Sequence, residues 1–259
     1  MADIKTPIAG VLLDLDGVLY VDNQLIPGAN TTLRTLRESG IPLRFITNTS
    51  TANTAQLAHK LRALGLDVQE AEIFSAVNAT RDFLAAQGRP SILPVVAATV
   101  HAEFAALPTD EHRPDFVVLG DIGMAWDYAL LNRLFNLLMG GSELLCMHRN
   151  RYWQTEAGLR MDIGAFVAGL EYASGKEAIV VGKPSADFFR QATASMNLPP
   201  EQVAIVGDDI EADIGGGQQA CLTGILVRTG KYREDQVRNA SIKPDLIIDS
   251  IAALPRLLE

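Results

Sequence analysis

Short apolar runs alternate with helical periodicities at both ends of this chain, and that alternation restricts the folds open to it. Residues 8–16, "IAGVLLDLD", form a nearly continuous apolar run, β-branched in part, that stops at Gly17. Such a run reads as a buried strand. "NTTLRTLRESG" (30–40) reads as a short helix closed by Gly40, and "PLRFITN" (42–48) as the next strand. "STANTAQLAHKLRALG" (50–65) places Leu57, Leu61 and Leu64 on one helical face before Gly65. The pattern resumes with strand runs "EAIVVG" (177–182), "QVAIVG" (202–207), "TGILVRTG" (223–230) and "PDLIIDS" (244–250), separated by the helical stretches "SADFFRQATASMN" and "DIEADIGGGQQA". Strands separated by helices call for a parallel sheet with helices on its faces, so the expected class is α/β with a Rossmann-like core.

The middle of the chain has a different texture. "DFVVLG" (115–120) and "ELLCMH" (143–148) read as strands, and "YALLNRLFNLLMGG" (128–141) as an amphipathic helix with Leu130, Leu131, Leu134, Phe135 and Leu138 in register. "RNRYWQTEAGLRMDIG" (149–164) is polar, aromatic and poorly periodic, and reads as a loop whose Tyr152 and Trp153 either pack inward or face a substrate. A chain of 259 residues is comfortable for two domains. The expectation is a core over 1–77 and 180–259, interrupted by an inserted α/β domain over 78–179.

Composition narrows the partners. A net charge of −9 is the wrong sign for a general binder of nucleic acid or anionic membranes, though it leaves small anionic substrates open. No apolar run approaches a membrane span, and the N-terminus lacks the basic and apolar regions of a secretory signal. Cys146 and Cys221 stand alone in apolar stretches, which suggests packed thiols in a reducing, cytoplasmic setting.

The chemistry lies where strands end. The first strand run closes on Asp14-Leu15-Asp16-Gly17, the second on Thr47-Asn48, "AIVVG" on Gly182-Lys183-Pro184, and "VAIVG" on Gly207-Asp208-Asp209 with Asp213 one turn on. In parallel α/β sheets ligands bind beyond the carboxyl ends of the strands, so these groups can converge. Five carboxylates against one ammonium would repel strongly, by about 4 kcal/mol per pair at 4 Å and an effective dielectric of 20. A cation resolves the conflict. Oxygen-only ligands favour a hard ion, Mg²⁺ first, and argue against zinc. A carboxylate beside such an ion can attack phosphorus, and a second acid can protonate the leaving oxygen and then activate water.

In this order, "DLDGVLY", "ITN", "VGKP" and "VGDDIEAD" resemble the haloacid-dehalogenase superfamily of phosphatases. The insertion between the Thr and Lys motifs resembles its C2 cap class (subfamily IIA). The resemblance implies Asp14 as nucleophile, Asp16 as general acid/base, and Thr47 and Lys183 on the phosphate with help from Gly17 and Asn48. It implies Mg²⁺ held by Asp14, the Asp16 carbonyl and Asp208, with Asp209 and Asp213 behind them, and a possible homodimer through the cap. The expected activity is Mg²⁺-dependent hydrolysis of small phosphorylated substrates through an aspartyl-phosphate, without nucleic-acid or membrane partners. The competing readings are a metal-independent dehalogenase, which the acidic cluster at 208–213 disfavours, and a receiver-like phosphoacceptor module, which the length and Asp16 disfavour.

Overall fold

The computed structural model describes residues 7–21, 23–155 and 158–258; the side chains of residues 153–155 and 159, and so the expectation for Trp153, lie outside the described residues. The chain divides into two compact units. The first comprises residues 1–47, 54–74 and 183–259, the second residues 48–53 and 75–182.

The first unit is built on a six-stranded sheet in the order Leu246–Ile248, Thr223–Val227, Val203–Gly207, Gly10–Asp14, Leu43–Thr47, Ile73–Ser75. The central pairings are parallel. Every residue of Gly10–Asp14 and of Val203–Gly207 is buried, as expected of strands covered on both faces. Register sets which residues share an edge. Asp14 lies beside Ile46, and Leu13 beside both Phe45 and Val206, so Asp14, Thr47 and Asp208 emerge at the same edge of the sheet. Gly215–Gly217 serve close packing: a Cβ on Gly216 would come within 2.6 Å of Phe189, and one on Gly217 within 2.4 Å of Ile205.

The second unit carries a four-stranded sheet in the order Ile179–Val180, Glu143–Cys146, Phe116–Leu119, Ile92–Val95. Its core joins Val117, Leu119, Leu144 and Cys146 to Leu134 and Leu138 of the helix Tyr128–Met139 and to Val167 and Leu170 of the helix Gly164–Ser174. Each fully buried aliphatic side chain of this kind contributes about 1.5–3 kcal/mol.

Three expectations need correction. The "AIVVG" run does not join the sheet that carries Asp14: Ile179–Val180 pairs with Leu145–Cys146 at the edge of the second unit's sheet. Residues 149–164 are not simply a loop, because Tyr152–Thr155 and Gly158–Met161 pair as an antiparallel hairpin. Among the described residues its two strands pair only with each other. Cys221 is exposed at a turn with φ +70°, whereas Cys146 is buried as expected.

Candidate active site

The first unit gathers acids and one lysine at the carboxyl edge of its sheet. Lys183 Nζ lies 2.7 Å from Asp14 Oδ1 and 2.7 Å from Asp213 Oδ1. All three are buried, Asp213 completely. Asp14, Asp208 and Asp213 each offer a carboxylate oxygen within 4.8 Å of the others. Within this group, three carboxyl groups face one ammonium.

Electrostatics follow from that imbalance. Burial opposes the charge on Lys183, yet Asp14 and Asp213 outweigh it and hold the ammonium well above its ordinary range. Asp208 is pushed up to about 8, first by burial and then by Asp14 and Asp213. Burial and Asp14 likewise push Asp213 up to about 7, against the pull of Lys183. A cluster in this state favours a cation in its midst.

Asp208 is held from one side. Its Oδ2 accepts the Lys231 backbone N–H at 2.8 Å. Among the described residues its Oδ1 is buried with no hydrogen-bond partner. Two glycines make room for this carboxylate. A Cβ on Gly17 would fall 1.9 Å from Asp208 Oδ2, and one on Gly230 would fall 2.1 Å from the same atom. Both have positive φ, +80° and +65°, so both the space and the backbone demand glycine. The Thr229 hydroxyl donates to the Gly17 carbonyl and joins these two turns.

The other predicted residues take different places in their own units. Asp16 is exposed, just beyond the strand that ends at Asp14. Thr47 is buried at the end of the neighbouring strand, and Asn48 is buried in the second unit. The Asp209 carboxylate caps the helical turn Ile210–Gly215, accepting N–H bonds from Glu211 at 3.1 Å and Ala212 at 3.0 Å. Burial would raise its pKa, but Lys231 and these N–H groups outweigh it and hold the carboxyl below its usual range. Tyr152 is exposed.

Sequence reasoning missed Gly230 and Lys231. Lys231 Nζ lies 3.4 Å from Asp209 Oδ2 while its N–H holds Asp208. The signal was present: "RTGK" comes directly after Thr223–Val227, another parallel strand of the same sheet, just as the other motifs come after theirs.

This arrangement is one of a known family. Residues 11–108 match the description "haloacid dehalogenase-like hydrolase", and residues 180–254 match a second, HAD-hydrolase-like description. The human haloacid dehalogenase-like hydrolase domain-containing protein 2 is 37% identical over 244 residues, covering 94% of this chain and 93% of that one. The chain belongs to the haloacid dehalogenase-like hydrolases. The rat phospholysine phosphohistidine inorganic pyrophosphate phosphatase is 36% identical and covers 99% of this chain and 96% of its own. Among solved structures, the 4-nitrophenylphosphatase of Thermotoga maritima superposes with a TM-score of 0.91 at 28% identity, covering 97% of this chain and 98% of that one. NagD from E. coli K-12 superposes at 0.87 with 30% identity, covering 95% and 98%. The protein is thus a hydrolase of this phosphatase family, and among its described residues no helix is long and apolar enough to cross a membrane.

Proposed function

We propose that the protein is a Mg²⁺-dependent phosphatase that acts on small phosphorylated substrates through an aspartyl-phosphate. The observation that carries this reading is the Asp208 oxygen buried without a hydrogen-bond partner inside a three-carboxylate cluster. The donor set is all oxygen, and glycines at 17 and 230 keep the space beside it clear, so the residues fit a hard cation. Asp14, Asp208 and the Asp16 carbonyl would hold it, with Asp209 and Asp213 behind them. Bound Mg²⁺ would supply charge neutralisation of the phosphoryl oxygens.

In this reading an Asp14 carboxylate oxygen attacks phosphorus and the bond to the leaving oxygen breaks. Asp16, exposed just past Asp14, gives that oxygen its proton. The Asp16 carboxylate then takes a proton from water, whose oxygen attacks the aspartyl-phosphate and releases phosphate and Asp14. Lys183 fixes the Asp14 carboxylate at 2.7 Å and adds positive charge for the phosphoryl group. Thr47, Asn48 and the turn at Gly17 contribute donors to its oxygens. Residues 1–77 and 180–259 act as the catalytic core, and residues 78–179 as a C2-type cap that excludes water and selects the substrate. A homodimer through the cap and a cytoplasmic setting belong to the same reading, without nucleic-acid or membrane partners.

The test is steady-state hydrolysis of p-nitrophenyl phosphate with added Mg²⁺ and with chelator. Activity should require the metal, and Asp14→Asn should abolish it while leaving the circular dichroism spectrum intact. Turnover that survives Asp14→Asn overturns the nucleophile assignment, and hydrolysis indifferent to chelator overturns the Mg²⁺ requirement.

A further inference from the structure

Residues 48–53 belong to the second unit although the chain on both sides of them belongs to the first. The segment begins directly after Thr47, the last residue of the strand Leu43–Thr47. Three elements of the second unit hold it. The Ser50 hydroxyl oxygen accepts the Asp121 backbone N–H at 3.0 Å, just past the strand Phe116–Leu119. The same oxygen lies 3.3 Å from His148 Nε2, just past the strand Glu143–Cys146. At Gly182, past Ile179–Val180, a Cβ would fall 2.6 Å from Asn48 Oδ1 and 2.3 Å from the Met147 carbonyl. Gly182 precedes Lys183, so the chain crossings at 47/48 and 182/183 are secured at one place in this unit.

Ser50 is 2% exposed, His148 3% and Asp162 6%. The trio resembles a hydrolytic triad in composition only. His148 Nδ1 stands 4.0 Å from Asp162 Oδ2, beyond hydrogen-bonding distance, and Asp162 Oδ1 accepts the Ile163 N–H at 2.7 Å. Nδ1 instead lies 3.4 Å from the Asn150 N–H, and Nε2 faces the Ser50 hydroxyl. Ser50, buried and bonded to both the Asp121 N–H and His148, is a tether, and the 4.0 Å gap to Asp162 leaves the trio without the geometry of a triad.

We infer that His148 is a positioning residue: by clasping Ser50 it fixes the segment that begins after Thr47, and with it the donors at Thr47 and Asn48 that meet the transferring phosphoryl group. The inference rests on the phosphatase reading. Positioning of this kind matters chiefly in the transition state, where small misplacements are costly.

The experiment is p-nitrophenyl phosphate kinetics on Ser50 and His148 variants in saturating Mg²⁺. His148→Leu should lower kcat by about tenfold or more with KM within about twofold, since misplacement of reacting groups costs rate first. His148→Gln, which restores a hydrogen-bonding group near the position of Nε2, should recover most of the loss. Ser50→Ala, which also removes the acceptor of the Asp121 N–H, should cost at least as much as His148→Leu, and the double variant should be no worse than Ser50→Ala alone, because the Ser50–His148 contact is already gone. Tm shifts that track kcat, with no rescue by Gln, would reduce His148 to a structural residue and overturn the inference, as would wild-type kcat in His148→Leu. Should His148→Leu fail to fold, Ser50→Ala decides: a kcat loss at constant KM supports the clasp, and wild-type kcat overturns it. A wild-type protein without phosphatase activity would sink the functional reading itself, which the variants cannot mimic.

Discussion

At the residue scale, the site depends on two positions where a side chain is forbidden. Gly17 and Gly230 both face Asp208 with positive φ. Gly17→Ala and Gly230→Ala would each drive a methyl carbon into the Asp208 carboxylate and strain the backbone, a class of change that costs about 1–3 kcal/mol. Each variant should therefore lose Mg²⁺ affinity and turnover more than it loses Tm, as calorimetric titration of Mg²⁺ beside thermal unfolding would show; unchanged affinity would separate these glycines from the metal site. The two thiols make a second contrast. Cys221 is exposed, while burial above all pushes the Cys146 thiol up to about 12. A disulfide reagent at pH 8 should modify one thiol in the native protein and two after unfolding. Stability inherits a sign from the same shift. Between about pH 9 and 12 the unfolded chain ionises Cys146 and the folded one does not, so this residue lowers stability as pH rises.

At the scale of elements, the legible part of the sequence was the part where burial leaves a pattern. Gly10–Asp14, Val203–Gly207 and the helix Tyr128–Met139 follow from apolar runs and helical spacing, and the motifs at strand ends converge because parallel strands share a carboxyl edge. The pairing of Tyr152–Thr155 with Gly158–Met161 escaped because "RNRYWQTEAGLRMDIG" shows neither a continuous apolar run nor a clear alternation in its sequence. Ile179–Val180 was legible as a strand but not in its partner, because an apolar run does not encode which sheet it joins. Lys183 nevertheless meets Asp14, since it is the residue at which the chain returns to the first unit. The second unit makes a checkable case for its own core. Leu134 and Leu138 are fully buried on one face of their helix. Leu134→Ala should cost about 2–5 kcal/mol, the range for a leucine truncated in a core. Asp127→Ala, which removes the side-chain cap accepting the Leu130 N–H at 2.7 Å, should cost about 1 kcal/mol. Urea unfolding monitored by circular dichroism measures both, and a cap variant worse than the core variant would mean that the helix is held by its end more than by its buried face.

At the scale of the whole molecule, the chain carries an electrostatic cost that a bound cation can offset. The acids at 14, 208 and 213 outnumber Lys183, and burial raises both Asp208 and Asp213. A site of this kind is tuned for function at the expense of the metal-free fold. If the cluster holds Mg²⁺, the ion stabilises the folded state by mass action, about 2.7 kcal/mol at one hundred times its Kd. In a protein of this size each kcal/mol corresponds to about 2–4 °C in Tm. Asp208→Asn separates the two effects. An amide there keeps an oxygen for the Lys231 N–H but removes one of the repelling charges. The variant should melt above the wild type in chelator and gain nothing from added Mg²⁺, while wild type rises with Mg²⁺ and overtakes or matches it. Thermal melts across a Mg²⁺ series read both directions at once. A variant that melts lower in chelator would show that Asp208 is paired better than its orphaned oxygen indicates, and one that still gains from Mg²⁺ would move the ion elsewhere.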